Sequence, residues 1–269
     1  MRFTSALSAI AVLAFTDMAL AAPAPAEATP LSRPDNRGGT VEQPTEEPPV
    51  VENPVTPPTD GGLSLTAQLR LADTAADRFK LLPNNEDFIF DFNKPQENPG
   101  KGGELIAANR KSFPALVGTG AGMAFGRVDA CGMNTLHVHP RSAELQIVTA
   151  GKLITEMLPE NGVLDAEGKR RVIRTELTKG MMTPFYQGSV HTQYNPDCEP
   201  AEFVASFAAE DFGTGQIADE TFALSDGVLL ATFGQSFSGE DIEKIREAIP
   251  ASIALGVEKC LQKCGIEKK

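Results

Sequence analysis

The chain has 269 residues, of which 41% are hydrophobic, and this allows one or two domains with a sizeable core. Its formal net charge of −12 and isoelectric point near 4.8 exclude the basic surface that nucleic-acid binding requires, and they give no long-range attraction for small anions. The 20 prolines and 24 glycines indicate many turns and some unstructured chain.

Residues 1–21 have the composition of a secretory signal peptide. Arg2 supplies the positive end, the apolar run from Ala6 to Phe15 is interrupted only by Ser8, and Ala19-Leu20-Ala21 forms a small-residue cleavage site. The run is too short for a membrane-spanning helix, which needs about 20 residues. We therefore expect a secreted, extracellular protein without a membrane segment, and the sequence has no N-x-S/T glycosylation site.

Residues 22–61 form a proline-rich segment. Ten of the 20 prolines lie here, and there is no aromatic residue. Such a segment buries too little apolar surface to offset its ordering entropy, so we predict a disordered, partly polyproline-like linker. A pro-segment or a spacer associated with the cell wall is the alternative. Residues 62–269 are assigned to a single folded domain.

The folded domain is predicted to begin near Ser64 with a helix. Apolar residues recur at spacings of four and three, which is the stripe of an amphipathic helix. They are Leu65, Leu69, Ala72, Ala76 and Phe79. This helix either binds a partner or packs against the domain or a neighbouring subunit. From Asp87 to Phe92 a phenylalanine stands at every second position, which predicts a half-buried strand.

Seven candidate strands follow, and several are separated by breaks that contain glycine. They are Gly122–Ala130, Thr135–Val138, Glu144–Leu158, Val172–Leu177, Met182–Tyr186, Val190–Tyr194 and Glu202–Ala208. Many short strands at this spacing predict an all-β sandwich or barrel, whose dry interior can fix ligands.

All three histidines of the chain lie in two short segments. His137 and His139 are separated by one residue, so on a strand they project to the same side, and Glu144 can return to that side after a short turn. His191, from a second strand, completes a set of three imidazoles and one carboxylate. A histidine on a strand is usually a satisfied surface or core residue, so an H-x-H pair alone is weak evidence. The full set predicts a site for a divalent first-row metal such as Mn, Fe, Ni, Cu or Zn.

The spacing around these residues resembles the two motifs of the cupin superfamily, and in particular of its germin and spherulin branch. The first motif, G/C-x5-H-x-H-x4-E-x6-G, runs from Cys131 to Gly151, and the second, G-x7-G-x2-H-x3-N, runs from Gly180 to Asn195. Tyr186 stands where the second motif normally has Pro. The resemblance implies a jelly-roll β-barrel with a flanking N-terminal helix and C-terminal helices, and one bound metal, usually Mn(2+).

Strand parity predicts polar side chains beside the metal ligands. Gln146 shares a face with Glu144, Gln193 shares a face with His191, and Thr135 shares a face with His137. The two glutamines either orient the ligands or a metal-bound water, or they are ordinary polar linings of the barrel.

The resemblance also implies a substrate contact. Asn134 stands where germin-like oxalate oxidases carry an Asn that helps bind the substrate. Gly126 stands where they carry a second such Asn.

The four cysteines fit an oxidising compartment. Cys131 and Cys198 lie six and seven residues from the histidines of their strands, so antiparallel pairing of the two strands would bring them face to face. Cys260 and Cys264 are one helical turn apart. We therefore predict Cys131–Cys198 and Cys260–Cys264 disulfides, although four cysteines allow three pairings.

Helical patterns end the chain. Asp226–Phe233 is one short helix, Ser238 to Asp241 opens a second in the manner of a capping box, and a third runs from Ile253 to Gly265. The resemblance implies that such helices pack subunits together in a homo-oligomer. An intramolecular lid on the barrel would show the same pattern.

Two classes of function remain open. The first is a secreted manganese oxidoreductase that acts on a small anion, oxalate or superoxide. The second is a metal-binding but non-catalytic protein of the wall, stress or spore-coat kind, as the spherulin resemblance implies, and a sugar- or ligand-binding cupin is a third. The pattern offers no further inward carboxylate, histidine or lysine as a general base, which counts against isomerases and decarboxylases that transfer protons.

Overall fold

A computed structural model describes residues 62–96, 99–250 and 252–267 of the chain. The predicted signal peptide, 1–21, and the predicted linker, 22–61, lie outside the described residues. The strands are, in chain order, β1 (Gly103–Ala108), β2 (Gly122–Val128), β3 (Gly132–Val138), β4 (Glu144–Ala150), β5 (Lys152–Leu158), β6 (Ile173–Thr178), β7 (Met182–Phe185), β8 (Val190–Tyr194), β9 (Ala201–Phe207), β10 (Gly215–Gln216) and β11 (Ile253–Leu255).

Two antiparallel sheets form the β-structure. Sheet A has the strand order β1-β2-β9-β4-β7, and sheet B has the order β10-β3-β8-β5-β6, with β11 beside β3. Most neighbours in a sheet are not consecutive in the chain, so the chain passes repeatedly from one sheet to the other. This arrangement confirms the predicted all-β jelly roll.

The core lies between the two sheets. Burial alternates along β2, β4 and β9, as expected of strands that turn one face to the interior. Full burial of a large apolar side chain contributes roughly 1.5–3 kcal/mol, so this core supplies much of the stability that holds the sheets together. Its buried members are Ala124, Val128, Val148, Leu153, Leu177, Ala201, Phe203, Ala205, Phe207 and Phe212.

A bulge in β3 sets which of its side chains point inward. The register with β8 shifts between the Asn134↔Gln193 pair and the His137↔His191 pair. Asn134 and His137 are three residues apart, yet both are buried, because the bulge resets the alternation. The prediction that Thr135 faces inward is wrong, since its hydroxyl hydrogen-bonds to β10 and to the residue before β11.

The predicted N-terminal helix is divided into α1 (Leu65–Leu71) and α2 (Ala75–Lys80). The backbone is extended at Ala72, and the Thr74 hydroxyl accepts a hydrogen bond from the Asp77 N–H to start the second helix. The apolar stripe continues through this break, which is why periodicity alone predicted one helix.

The predicted strand from Asp87 to Phe92 is wrong. A short 3₁₀ helix occupies Asn85–Phe88, and the residues after it pair with no strand. Phe90 packs against Phe92, whose ring lies 6.3 Å from that of Phe125 on β2. The alternation of phenylalanines therefore reflects aromatic packing on the outside of sheet A.

Gly151, with a φ of +68°, divides the predicted strand Glu144–Leu158 into β4 and β5. A Cβ at this position would also lie 2.9 Å from the Ala201 backbone, so both the positive φ and the close contact require glycine in this turn. Strands β1, β10 and β11 were not predicted.

Four helices follow β10 in the described part of the chain, and they are α3 (Ile217–Phe222), α4 (Asp226–Thr232), α5 (Gly239–Ala248) and, after β11, α6 (Glu258–Cys264). The capping box of Ser238 and Asp241 and the left-handed Gly265 at the end of α6 confirm the predicted helix limits. The predicted third helix begins too early, because Ile253–Leu255 pairs with β3 as strand β11. No helix in the described ranges is long and apolar enough to cross a membrane.

The predicted disulfide pairing is wrong, although all four cysteines form bridges. Cys131 is bonded to Cys260, and Cys198 is bonded to Cys264. Cys131 has a φ of 60° and lies before the first residue of β3, so it does not continue the β3–β8 ladder. Helix α6 packs beside both loops and bonds to each of them.

Candidate metal centre

The four predicted ligands meet inside the barrel. His137, His139, Glu144 and His191 are all buried, and one ligand atom from each lies within 4.8 Å of the others. The Glu144 Oε2 atom is 2.9 Å from His139 Nε2 and 3.3 Å from His191 Nε2. Strand β3 with the residue after it, and strands β4 and β8, therefore bring together three imidazoles and a carboxylate from three segments of the chain.

Backbone carbonyl groups orient the imidazoles. The Nδ1 atoms of His137 and His191 lie 2.7 and 2.9 Å from the carbonyl oxygens of Thr135 and Ser189, each two residues earlier in the chain. The Nδ1 atom of His139 lies 2.6 Å from the carbonyl oxygen of Gly213. A carbonyl can only accept, so each Nδ1 carries a hydrogen, and Nε2 is the ring atom of each histidine that is left to bind a metal.

Burial and neighbouring charges set the protonation of the donors. Burial alone would raise the pKa of the Glu144 carboxyl, but hydrogen bonds with His139 and His191 outweigh it and hold the pKa at about 2. Burial lowers the pKa of His137 to about 3, with a further contribution from the nearby His191. At neutral pH Glu144 is therefore ionised and His137 is neutral, as coordination of a cation requires.

The three amides predicted beside the ligands are buried, but they do not hold the imidazoles. The Gln193 Nε2 atom donates to Gln146 Oε1 at 2.5 Å. Asn134 Oδ1, Gln146 Nε2 and Gln193 Oε1 have no hydrogen-bond partner among the described residues. An unpaired buried polar group costs roughly 1–3 kcal/mol, so these atoms point to a bound water or ligand.

A small cavity adjoins the donors. Its volume is about 40 Å³, and its polar walls are formed by His137, His139, Glu144, Asn134 and Gln193. A water molecule needs roughly 10–15 Å³ of such space, so the cavity has room for about three water-sized groups.

The remaining residues of the second motif shape the chain around the site. The buried Asn195 amide donates to three backbone carbonyls and accepts from the Asp197 N–H, which fixes the loop after β8. The Gly188 N–H donates to the His139 carbonyl at 3.1 Å, and its φ of +75° favours glycine.

A loop missed by the sequence analysis also supports the centre. Residues 208–214, here called the strap, connect β9 to β10 and supply the Gly213 carbonyl that holds His139. The Arg141 guanidinium donates to the Asp211 carbonyl and carboxylate at 2.8 and 2.7 Å, and Arg110 donates to the same carboxylate at 3.0 Å. No spacing in the sequence relates Asp211 or Gly213 to the histidines.

Comparisons with known proteins agree with this fold and site. The Cupin family profile matches residues 90–238. Spherulin-1A from Physarum polycephalum is 36% identical over 203 residues, which are 75% of this chain and 79% of that protein. A probable germin-like protein, subfamily 2 member 5, from Arabidopsis thaliana is 30% identical over 178 residues, which are 64% of this chain and 77% of that protein.

Among solved structures, an oxalate oxidase in complex with the substrate analogue glycolate has a TM-score of 0.50 with this chain at 18% sequence identity. The match covers 61% of this chain and 84% of the oxidase chain. At this identity the likeness is one of fold.

Proposed function

Because this chain belongs to the cupin family and has spherulins and germin-like proteins as relatives, we propose that it is a secreted manganese-binding protein with redox activity on a small anion, superoxide or oxalate. One observation carries the proposal. Three imidazoles whose Nδ1 atoms are engaged by carbonyls, and one ionised carboxylate, converge within 4.8 Å beside a cavity.

The donor set fits a first-row divalent metal. It offers three imidazole nitrogens and one carboxylate oxygen, with no thiolate, because all four cysteines are in disulfides. Manganese is proposed because the germin resemblance implies it. A bound manganese ion would supply redox chemistry and a coordination position open to substrate.

The surrounding residues have distinct parts in this proposal. Asn134 and Gln193 present unpaired amide oxygens, which can accept hydrogen bonds from a metal-bound water. The aromatic rings of Phe207 and Phe212 form another wall of the cavity and limit the entry of water there. Glu144 is the one carboxylate that is fully buried in residues 62–96, 99–250 and 252–267, and redox chemistry on an anion requires no second carboxylate as a general base.

A non-catalytic, metal-binding role of the spherulin type is the second candidate. It is favoured by the 36% identity to spherulin-1A, which exceeds the 30% identity to the germin-like protein. Gly126 favours it too, because the resemblance to oxalate oxidases places a substrate-binding Asn at this position.

Metal analysis and activity assays on one preparation test the proposal. The protein from Ala22 onward is purified from a secreting host, its metals are measured, and loss of superoxide and release of peroxide from oxalate are assayed. We expect one manganese per chain and one of the two activities. Manganese without either activity would favour the spherulin-type role, and protein without stoichiometric metal would contradict both.

Secretion and self-association are part of the proposal. The two disulfides support an oxidising compartment. Exposed apolar side chains on the C-terminal helices, Val228 at 48% and Phe233 at 37% exposure, support subunit contacts. Light scattering should give a multiple of the chain mass, and Val228→Asp should reduce that mass. A monomer at all concentrations would contradict self-association.

A further inference from the structure

The two disulfide bonds lie against each other at helix α6. Each bond joins one cysteine of that helix to a loop of the barrel, Cys260 to Cys131 and Cys264 to Cys198. The Sγ atoms of Cys260 and Cys264 belong to different bonds and are 3.9 Å apart. The Sγ atom of Cys131 lies within 4.8 Å of both. The four sulfur atoms therefore form one group, here called the cysteine cluster.

The two bonds of the cysteine cluster differ in their access to solvent. Cys198 is exposed, and Cys264 is partly exposed. Cys131 and Cys260 are 0% and 4% exposed, and they form a buried apolar group with Leu261. A thiol in solution therefore reaches the Cys198–Cys264 bond much more readily than the Cys131–Cys260 bond.

The contact between the bonds allows an exchange reaction to pass from one to the other. A thiolate breaks a disulfide by attacking one of its sulfur atoms and displacing the other. Attack of a small thiol on the Cys198 sulfur forms a mixed disulfide there and leaves Cys264 as a thiolate. Its sulfur lies 3.9 Å from Cys260 Sγ, and residues four apart share one face of a helix. Attack on Cys260 forms a Cys260–Cys264 bond and displaces Cys131 as a thiolate, which takes a proton from water.

The backbone of Cys131 favours its release. Its φ of 60° lies in the left-handed region, which is unfavourable for most residues other than glycine. The bond to Cys260 and a hydrogen bond from the Cys131 N–H to the Asp197 carbonyl help to hold this conformation. After release the backbone can relax, and the protonated thiol stays among apolar neighbours, where a cysteine is inert.

We infer that Cys198 is a modification site for a small thiol and that Cys264 passes the exchange on to the buried bond. The product carries the small thiol on Cys198, a Cys260–Cys264 bond within α6, and a free thiol at Cys131. Two disulfides and one thiol are present before and after, so no oxidant or reductant is consumed. One small thiol thus releases α6 from both loops. This site is separate from the proposed metal chemistry and does not depend on it.

Peptide mapping of the wild-type protein tests the inference. The folded protein is incubated with reduced glutathione, free thiols are alkylated at acidic pH, and tryptic peptides are separated without reduction. Trypsin cleaves after Lys259 and Lys263, so a bond between Cys260 and Cys264 links two different peptides. We expect glutathione on Cys198, the linked pair of peptides, and the alkyl group on Cys131.

Two other distributions of the labels would overturn the inference. In the first, modified molecules carry glutathione on Cys198 and the alkyl group on Cys264, while the Cys131–Cys260 bond stays intact. The exchange would then stop at the exposed bond. In the second, glutathione modifies no cysteine of the folded protein, and Cys198 is then not a modification site.

Two serine variants test the internal step without an external thiol. Cys198→Ser leaves Cys264 unpaired beside Cys260, and we expect its free thiol to be found at Cys131. Cys264→Ser is the matched control, because it leaves Cys198 unpaired, and the Cys198 sulfur is outside the group that lies within 4.8 Å of one another. Its free thiol should stay at Cys198.

Alkylation and mapping of the two variants give a direct contrast. A free thiol that remains at Cys264 in folded Cys198→Ser protein would overturn the internal exchange, as would a free thiol at Cys131 in both variants. If Cys198→Ser fails to fold, the glutathione experiment on the wild-type protein decides the question.

Discussion

At the scale of single residues, the hydrogen on Nδ1 of each histidine decides which ring nitrogen faces the metal. Each imidazole donates through Nδ1 to a backbone carbonyl, at distances between 2.6 and 2.9 Å. Because a peptide carbonyl accepts a hydrogen bond whatever the pH, each of these carbonyls holds its ring in one orientation. The Nε2 atoms are therefore aimed at the metal position before any ion binds.

Replacement of His137 by Ala should abolish metal binding, because it removes one of the four donors. Leu136→Ala is the matched control, since Leu136 is the preceding residue of β3 and is 47% exposed. Elemental analysis after dialysis against a weak chelator provides the measurement. Stoichiometric metal in His137→Ala, or its loss in Leu136→Ala, would contradict this assignment.

The alternation of side chains along a strand predicted most of the site but not all of it. It placed His137 with His139 and Glu144 with Gln146 on inward faces, as observed. It failed at Thr135, because the bulge in β3 shifts the alternation. A bulge depends on how a strand pairs with its neighbours, and the sequence of a single strand does not contain that information.

At the scale of elements, the strap couples a surface ion pair to the metal centre. Asp211 is bonded to Arg141 and Arg110, and the same loop presents the Gly213 carbonyl to His139. Loss of this anchor should let the carbonyl move and leave the imidazole less well oriented.

We expect Asp211→Ala to weaken metal binding about tenfold, which is the usual effect of removing a group that orients a metal ligand. Glu240→Ala is the control, because it removes an exposed ion pair with Lys244 on α5. Competition with a coloured chelator measures both affinities. Equal affinities in the two variants would show that the strap does not position His139.

Helix α6 forms disulfide bonds with the two loops that contain Cys131 and Cys198, whereas the cysteine spacing predicted a bond between those loops. The cysteine spacing predicted a direct bridge on the assumption that the β3–β8 ladder continues to Cys131 and Cys198. The chain leaves the ladder at both positions, and the segment Ile253–Leu255 pairs with β3 and leads α6 to them. Such long-range docking cannot be read from local spacing.

Peptide mapping without reduction should recover Cys131 linked to Cys260 and Cys198 linked to Cys264. Joint replacement of Cys198 and Cys264 by Ser should lower the free energy of unfolding by up to about 4 kcal/mol, the chain-entropy value for a loop of this length. Metal content should not change, because no ligand lies on α6. Recovery of a Cys131–Cys198 peptide would contradict the pairing.

At the scale of the whole molecule, the buried donors make the metal-free protein sensitive to acid. Folding lowers the pKa of His137 from 6.5 to about 3 and that of Glu144 from 4.5 to about 2. Between these values the unfolded chain binds protons that the folded chain does not, so stability falls as the pH is lowered.

We expect the loss of stability in metal-free protein to begin near pH 6.5, where His137 of the unfolded chain becomes protonated, and to steepen below pH 4.5. Each pH unit is worth up to about 1.4 kcal/mol for each group. Urea unfolding of metal-free protein at a series of pH values measures the effect. His137→Asn should remove the first part of it, and an identical pH profile in that variant would contradict the assignment.

The sequence predicted the four metal donors completely and the strands of the all-β fold only in part. Period-two patterning and glycine-bearing turns identified seven strand regions, and the two motifs identified all four donors. Strand β1 was missed because Gly103–Ala108 lacks alternation, since both of its faces are partly covered. The Gly213 carbonyl was missed because its place beside His139 depends on a contact between residues that are 74 positions apart in the sequence.

The convergence of His137, His139, Glu144 and His191 on one ion is the central claim. Anomalous X-ray scattering at the manganese absorption edge, from crystals of the purified protein, tests it most directly. We predict one peak per chain, about 2.2 Å from three Nε2 atoms and from a Glu144 carboxylate oxygen, a usual metal–ligand distance. A metal peak elsewhere with none at these four residues, or crystals of metal-replete protein without such a peak, would contradict the claim.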